Sequence, residues 1–368
     1  MRIGLIDVDG HNFPNIALMK ISAYYKSIGA EVEWHWGFND YDIVYMSKVF
    51  STTYSPHMPE PLNAKEIIKG GTGYGLDNVL PPHIEHMYPD YSLYPQYTTN
   101  TAYGFLTRGC PRNCAFCIVS KKEGIASIKV ADLTGFYSGQ RYIKLLDPNL
   151  LAVPEHIELL NQLADSGAWI DFTQGLDIRL VNNDNIDALN RVKTKSLHFA
   201  WDNPRENLEA TFREVGRMLR IQDTRKKNVY VLTNFNTTHD EDLYRVETLR
   251  QIGFSPYVMV YEKPTAPRQT RQLARWCNNK RIFRTVPDFN KYDDRQEVDT
   301  MLKTRCVYVV TIEETLPGKI ITDAEIPTLR QNMKSLREAV SDLLSGEFCG
   351  EVTVEEVARD AWREDDDD

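Results

Sequence analysis

Cysteine is scarce in this chain, with six among 368 residues. A disulfide-stapled scaffold needs a far higher density, so the fold must rest on a hydrophobic core. Long apolar runs are missing too. No stretch approaches the roughly 18 consecutive apolar residues of a membrane helix. The opening MRIGLIDVDG has no basic start, apolar middle or small-residue cleavage site of a secretory signal. These absences set the expectation of a cytoplasmic protein with no membrane partner. Positive charge is not in excess: 43 basic against 52 acidic side chains leave a net charge of −9. That speaks against a generic binder of phosphate backbones, while leaving room for a local basic groove. Part of the acidic surplus is the tail Glu364–Asp368, expected to be solvated and disordered (361–368).

What is present is ordinary for a globular protein, 42% apolar and 26% charged, and the length favours two domains. Arg2 to Val8 reads as a buried strand, Asn15 to Ser27 as a helix stopped by Gly29, and Ala30 to Trp36 as a second strand. Short strands at Asp42–Met46 and Glu66–Lys69 follow, the latter running into Gly70-Gly71-Thr72-Gly73. The alternation predicts a small Rossmann-like parallel α/β domain over residues 1–75. Residues 76–100, with Pro-Pro and Tyr-Pro turn signals, read as a linker that lies across the surface of the next domain.

From Thr101 the alternation resumes at larger scale. Strands are expected at 102–107, 141–146, 169–174, 196–201, 228–234 and 256–261. Helices fall between them at 115–122, 130–137, 154–166, 183–192, 204–221 and 239–252. That pattern predicts a partial (β/α)6, TIM-like barrel over 101–265. A largely helical C-terminal extension over 266–360 includes an amphipathic helix at 324–345. Barrel chemistry sits where strand C-termini meet the following loops. Those ends are polar here: Asp147-Pro-Asn149, Gln174 with Asp177 and Arg179, Trp201-Asp202-Asn203, and Asn234.

Half of the cysteines fall within eight residues, in Gly109-Cys110-Pro-Arg-Asn-Cys114-Ala-Phe-Cys117. This CxxxCxxC loop directly follows the first strand of the larger repeat. Thiolates suit zinc and iron-sulfur sites. Closed structural zinc needs four ligands, and no fourth Cys or His follows at finger-like spacing. Three thiolates fit a cubane cluster with one iron left open. A non-catalytic zinc module completed by a distant His is the competing reading.

The loop, its aromatic Phe116 and the polar strand ends resemble the radical S-adenosylmethionine superfamily over residues 100 to 262. The resemblance implies a 4Fe-4S cluster on Cys110, Cys114 and Cys117. It also implies S-adenosylmethionine on the open iron and reductive cleavage to a 5′-deoxyadenosyl radical. An electron donor such as flavodoxin or ferredoxin is implied too; the substrate and the catalytic residues beyond the cluster are not. Phe116 matches the residue near the adenine. Asp147, Asn149, Gln174, Arg179, Asp202 and Asn234 stand where relatives contact the cofactor. The usual Gly-Gly-Glu strand end is replaced here by Lys144-Leu-Leu-Asp147-Pro-Asn149. Plainer readings stand beside these roles: a turn with Asn149 as helix cap, and an internal Asp177–Arg179 ion pair.

The first domain resembles the cobalamin-binding domains attached to many such enzymes, which makes a cobalamin-dependent methyltransferase the alternative. Its matching positions are Asp9 and His11 after the first strand, Ser47, and Gly70-Gly71, with Pro14 and Val49 departing from the motif. The bland reading is a turn, a helix cap and a tight backbone approach. Cys277, Cys306 and Cys349 read as ordinary buried thiols rather than ligands of a second cluster. Arg268, Arg271, Arg275-Trp276, Lys280-Arg281 and Arg284 read as a solvated helix face, with a groove for an anionic or nucleic-acid ligand as the competing reading.

Overall fold

The computed structural model describes residues 1–10, 13–50, 55 and 57–292, together with the backbone of two later strands. Strand β1 (Arg2–Asp7) leads into helix α1 (Ile16–Ser27), whose first turn is capped by Asn15 accepting from the Leu18 N–H at 3.2 Å. Strands β2 (Glu31–Trp34), β3 (Tyr41–Ser47) and β4 (Ala64–Gly70) complete a parallel sheet in the order β2-β1-β3-β4. One face buries Ile3 and Leu5 against Leu18 and Ile21 of α1; on the other, Val8, Tyr41, Val44 and Met46 form a second cluster.

The stretch expected to be a linker is a strap with two short helices, α2 (Pro82–Glu85) and α3 (Pro95–Thr98). Asp90 accepts from Ser22 Oγ and Lys26 Nζ of α1, both at 2.6 Å, and the Tyr94 hydroxyl donates to Asp7 at 2.6 Å. Further along, the Tyr91 hydroxyl donates to the Phe136 carbonyl at 2.6 Å.

Beyond it come β5 (Thr101–Gly104), β6 (Thr107–Arg108), α4 (Val119–Glu123), β7 (Ile128–Lys129) and β8 (Tyr142–Leu145). Then follow α5 (His156–Asp165), β9 (Trp169–Phe172), α6 (Asn183–Arg191), β10 (Thr194–Ala200) and α7 (Glu209–Met218). Strand β11 (Lys227–Thr233), α8 (His239–Ile252), β12 (Ser255–Val260), α9 (Arg268–Asn278) and α10 (Lys280–Thr285) close the series. Six of these strands form one parallel sheet in the order β5-β8-β9-β10-β11-β12. The order never reverses, so each strand is laid beside its predecessor.

Helix α8 matches its expected range because both ends are written in sequence. Thr238 and Glu241 make a capping box, and Gly253 turns left-handed at φ 91. The helix expected at 130–137 is only a 3-10 turn at Leu133–Gly135. The one expected at 204–221 begins late, since the Asn203 side chain and carbonyl hold Arg205 and Glu206 in a turn.

Alternation along the strands sorts the two faces. Ile143, Leu145, Ile170, Phe172, Leu197, Phe199, Val229 and Val231 are buried on the helix side. Residues between them are polar and only partly buried. The first compact unit runs to Thr285 and so includes α9 and α10. Trp276 of α9 is core, edge-on to Phe283 at 4.7 Å, which removes it as a stacking platform. Buried Cys277 is core as well.

Of the second unit the structure describes an antiparallel pair, β13 (Tyr308–Ile312) with β14 (Val352–Glu356). Within the range expected to be a largely helical extension, the described residues form helices α9 and α10 and this strand pair. The expected helix at 324–345, Cys306, Cys349 and the acidic tail lie outside the described residues. Among the described residues no helix is long and apolar enough to cross a membrane.

Candidate functional site

The cysteine loop is an excursion from the edge of the six-stranded sheet, held at its neck. β6 and β7 pair antiparallel, with Thr107 opposite Lys129 and Arg108 opposite Ile128. Above them the Cys110 N–H donates to the Gly124 carbonyl at 3.2 Å. The two limbs run so close that a Cβ on Gly109 would lie 2.1 Å from the Ala126 carbonyl, and Gly109 has φ +80 besides. Only glycine suits that position. Glu123 locks the neck by accepting from Arg108 at 2.8 Å and from the Gly109 N–H at 3.1 Å.

Asp147 supports the same neck from below. Its carboxylate accepts from the Leu106 N–H at 3.1 Å, the Thr107 N–H at 2.5 Å and Thr107 Oγ1 at 2.8 Å. Burial pushes its pKa up to about 6, against the pull of those hydrogen bonds. Its donors are thus backbone and hydroxyl groups of the chain itself.

Two residues on, Asn149 is buried and its Nδ2 lies 3.6 Å from Cys110 Sγ. Its Oδ1 is buried with no hydrogen-bond partner. An amide with one end on a cysteine sulfur and the other orphaned is what an absent neighbour leaves behind.

Cys110, Cys114 and Cys117 are free thiols, each partly buried. The Cys117 N–H donates to the Cys114 carbonyl at 3.0 Å, so the last two cysteines of the loop share a tight turn. Burial pushes the Cys114 thiol up, and the nearby Asp202 adds to it. Among the described residues no three His, Cys, Asp or Glu side chains gather as a single metal ion requires. A cubane makes a looser demand, because each sulfur binds a different iron. The donor chemistry fits such a cluster, which would have to displace the thiol protons.

Arg112, inside the loop, pairs with Asp177 beyond β9. Asp177 also accepts from Arg179 Nε at 2.6 Å, and Arg179 reaches on to Glu206. Arg179 therefore spends its fork on carboxylates of the protein, as the ion-pair reading expects, rather than presenting it to a ligand. Gln174 is exposed at the β9 end. Asp202 accepts from the Leu232 N–H at 3.2 Å, and burial pushes it up to about 6. Asn234 is left-handed at φ 63, and its Nδ2 donates to the Tyr261 carbonyl at 2.8 Å, tying β11 to β12. Phe116 stands edge-on to Phe235 at 5.4 Å, and Phe235 to Tyr261 at 4.9 Å.

In the small sheet, His11 lies outside the described residues. Asp9 uses both carboxylate oxygens on the Val49 N–H and Ser55 Oγ. Ser47 Oγ accepts from Asn15 Nδ2 at 2.8 Å. A Cβ on Gly71 would lie 2.3 Å from the Lys48 carbonyl, and one on Gly73 2.1 Å from that of Phe50. The chain itself fills that cradle, and Asp9 is not free to orient an imidazole. These residues do not fit cobalamin.

Sequence reasoning passed over the polar sheet face (Lys144, Asp171, His198, Tyr230) and the buried Arg245. The face was legible as one polar residue alternating with apolar ones in each strand; Arg245 carried no such signal. No protein-family model and no curated protein matches the chain.

Proposed function

We propose that the chain is a radical S-adenosylmethionine enzyme, with the six-stranded sheet forming a partial (β/α)6 barrel and Cys110, Cys114 and Cys117 holding a 4Fe-4S cluster. The observation that carries this reading is the pinned loop with three free thiols, beside an Asn149 amide that meets Cys110 and has an orphaned Oδ1. When bound, the cluster supplies the electron that splits S-adenosylmethionine and so furnishes a radical for hydrogen abstraction.

The chain's own part is to bind and orient. The Asn149 amide donates toward the Cys110 sulfur, and its Oδ1 is left to accept an N–H such as the cofactor's amino group. Phe116, Phe235 and Tyr261 offer an aromatic wall for the adenine. The Arg112–Asp177–Arg179–Glu206 chain holds the loop against the β9 end. Pro111, Arg112 and Asn113 at the loop tip are exposed, which leaves an approach for a flavodoxin- or ferredoxin-like electron donor.

Anaerobic reconstitution with iron and sulfide tests the reading. It expects a brown protein that cleaves S-adenosylmethionine under dithionite, and a Cys114→Ala variant that loses colour and cleavage together. A colourless protein carrying stoichiometric zinc refutes it.

A further inference from the structure

The polar face of the six-stranded sheet carries two opposite charges that do not meet. Lys144 and Asp171 stand in register across β8 and β9. Neighbours of opposite sign at this position ordinarily pair. Yet Lys144 Nζ sits over the rings of Phe13 at 5.5 Å and Tyr103 at 5.8 Å, and among the described residues it has no carboxylate partner.

Asp171 Oδ1 is buried without a hydrogen bond. Its nearest cation candidate is His198, whose Nδ1 lies 3.8 Å away. That nitrogen is 3.1 Å from the Phe172 carbonyl, which needs the ring proton there. Burial lowers the His198 pKa, which disfavours a second ring proton. His198 is held flat on Tyr230, ring centroids 5.0 Å apart at 6°. Two residues along β9 from Asp171, Thr173 Oγ1 is also buried without a partner, while its carbonyl accepts from the Tyr230 hydroxyl at 2.8 Å.

A lone amine entering here meets Asp171 and is repelled by Lys144; a lone carboxylate meets the reverse. A ligand carrying both charges a few atoms apart satisfies both groups. We infer that this face binds a zwitterion of the α-amino-acid type, its ammonium on Asp171 and Thr173 and its carboxylate on Lys144. Naming that ligand the substrate rests on the radical enzyme reading; the binding does not.

Isothermal titration of the apo-protein with the proteinogenic L-amino acids tests it, with putrescine (two ammonium groups) and succinate (two carboxylates) as controls that carry charge of one sign only. At least one amino acid should bind with a Kd below about 1 mM. Both controls should bind roughly tenfold weaker or worse. Asp171→Asn and Lys144→Met should each weaken binding about tenfold or more. Cys114→Ala should bind as the wild type does, which separates this result from the fate of the cluster. Binding should persist with saturating S-adenosylhomocysteine; displacement would overturn the proposal, since the site would then hold the cofactor's own amino-acid end. Absence of binding by any amino acid, equal binding of either control, or unchanged affinity in a folded variant would also overturn it. The two variants are independent, so a folding defect in one leaves the other to read the site.

Discussion

Replacing Arg245 by Met should cost the first compact unit about 5 kcal/mol of stability. The Arg245 side chain is 0% exposed and its partner Asp242 2%. Nη1 donates to the Trp201 carbonyl at 2.6 Å and the Asp202 carbonyl at 3.0 Å. Nη2 donates to the Leu232 carbonyl at 2.9 Å and to Asp242 at 2.5 Å. The guanidinium thus binds the C-terminal ends of β10 and β11 to α8. Methionine replaces the apolar stem as far as Nε, so the stem packing is kept while the space of the guanidinium is left empty. Breaking a buried pair by removing one partner costs about 3–5 kcal/mol. Each orphaned carbonyl adds about 1–3 kcal/mol, part of which relaxation recovers. A net loss of about 5 kcal/mol is expected, comparable to the whole stability of a modest domain, roughly 5–15 kcal/mol.

Urea denaturation followed by circular dichroism measures it. Burial already raises the Asp242 pKa in the wild type. Without Arg245 the folded carboxyl should hold its proton still more firmly than the unfolded one. The variant should therefore be more stable at acid than at neutral pH, with the advantage lost as pH rises through the folded pKa. Adding Asp242→Asn should restore about 2 kcal/mol or more by removing the stranded charge. A loss under about 1 kcal/mol, or a double variant no better than the single one, refutes the assignment of Arg245 as the tie between strand ends.

Asp147 gives a second pH signature. Its folded pKa of about 6 lies above the ordinary 3.8. The folded state thus keeps its proton longer, and the stabilisation present below pH ~4 fades as pH rises through ~6, by at most about 3 kcal/mol. The stability difference between wild type and Asp147→Asn, measured in urea across this range, should shift by that order against the wild type; a flat difference counts against it. Gly109→Ala places a Cβ 2.1 Å from the Ala126 carbonyl at φ +80. It should lower stability by about 2 kcal/mol or more and reduce iron uptake, read by thermal melting and iron assay. Arg112→Gln breaks a pair whose arginine is 35% exposed. It should cost under about 1 kcal/mol in urea and act instead by slowing cluster assembly, followed by the rise of visible absorbance.

The regular elements were legible where local signals agree. Six strands of the larger sheet fall within a few residues of their expected places, because each is an apolar run closed by turn residues. Helix α8 shows both of its caps in sequence. Asp147 illustrates what was not legible. Its type and strand-end position pointed outward to a ligand, but the neck of the cysteine loop folds back over it and takes its oxygens. Arg179 was half legible: its Asp177 partner lies two residues back, whereas Glu206, far along the chain, takes the other end of its fork. Long-range partners of this kind leave no trace in spacing.

The boundary at residue 76 is not a break in the packing. Proline-rich turns there read as a linker lying across the surface of the next domain, and the first compact unit runs through it to Thr285. The small sheet's C-terminal edge is used in two places. Thr72, in the loop after β4, accepts from Lys122 at 2.8 Å, five residues past Cys117. Phe13, in the connection after β1, stands edge-on to Tyr103 at 5.0 Å and lies under the Lys144 ammonium. The first contact braces the limb of the cysteine loop, and the second draws Lys144 away from Asp171. A parallel sheet offers its ligand-binding edge at the strand C-termini. Here that edge is turned against the larger sheet, so Asp9, Gly71 and Gly73 act in close packing while the loops they hold shape the neighbouring site.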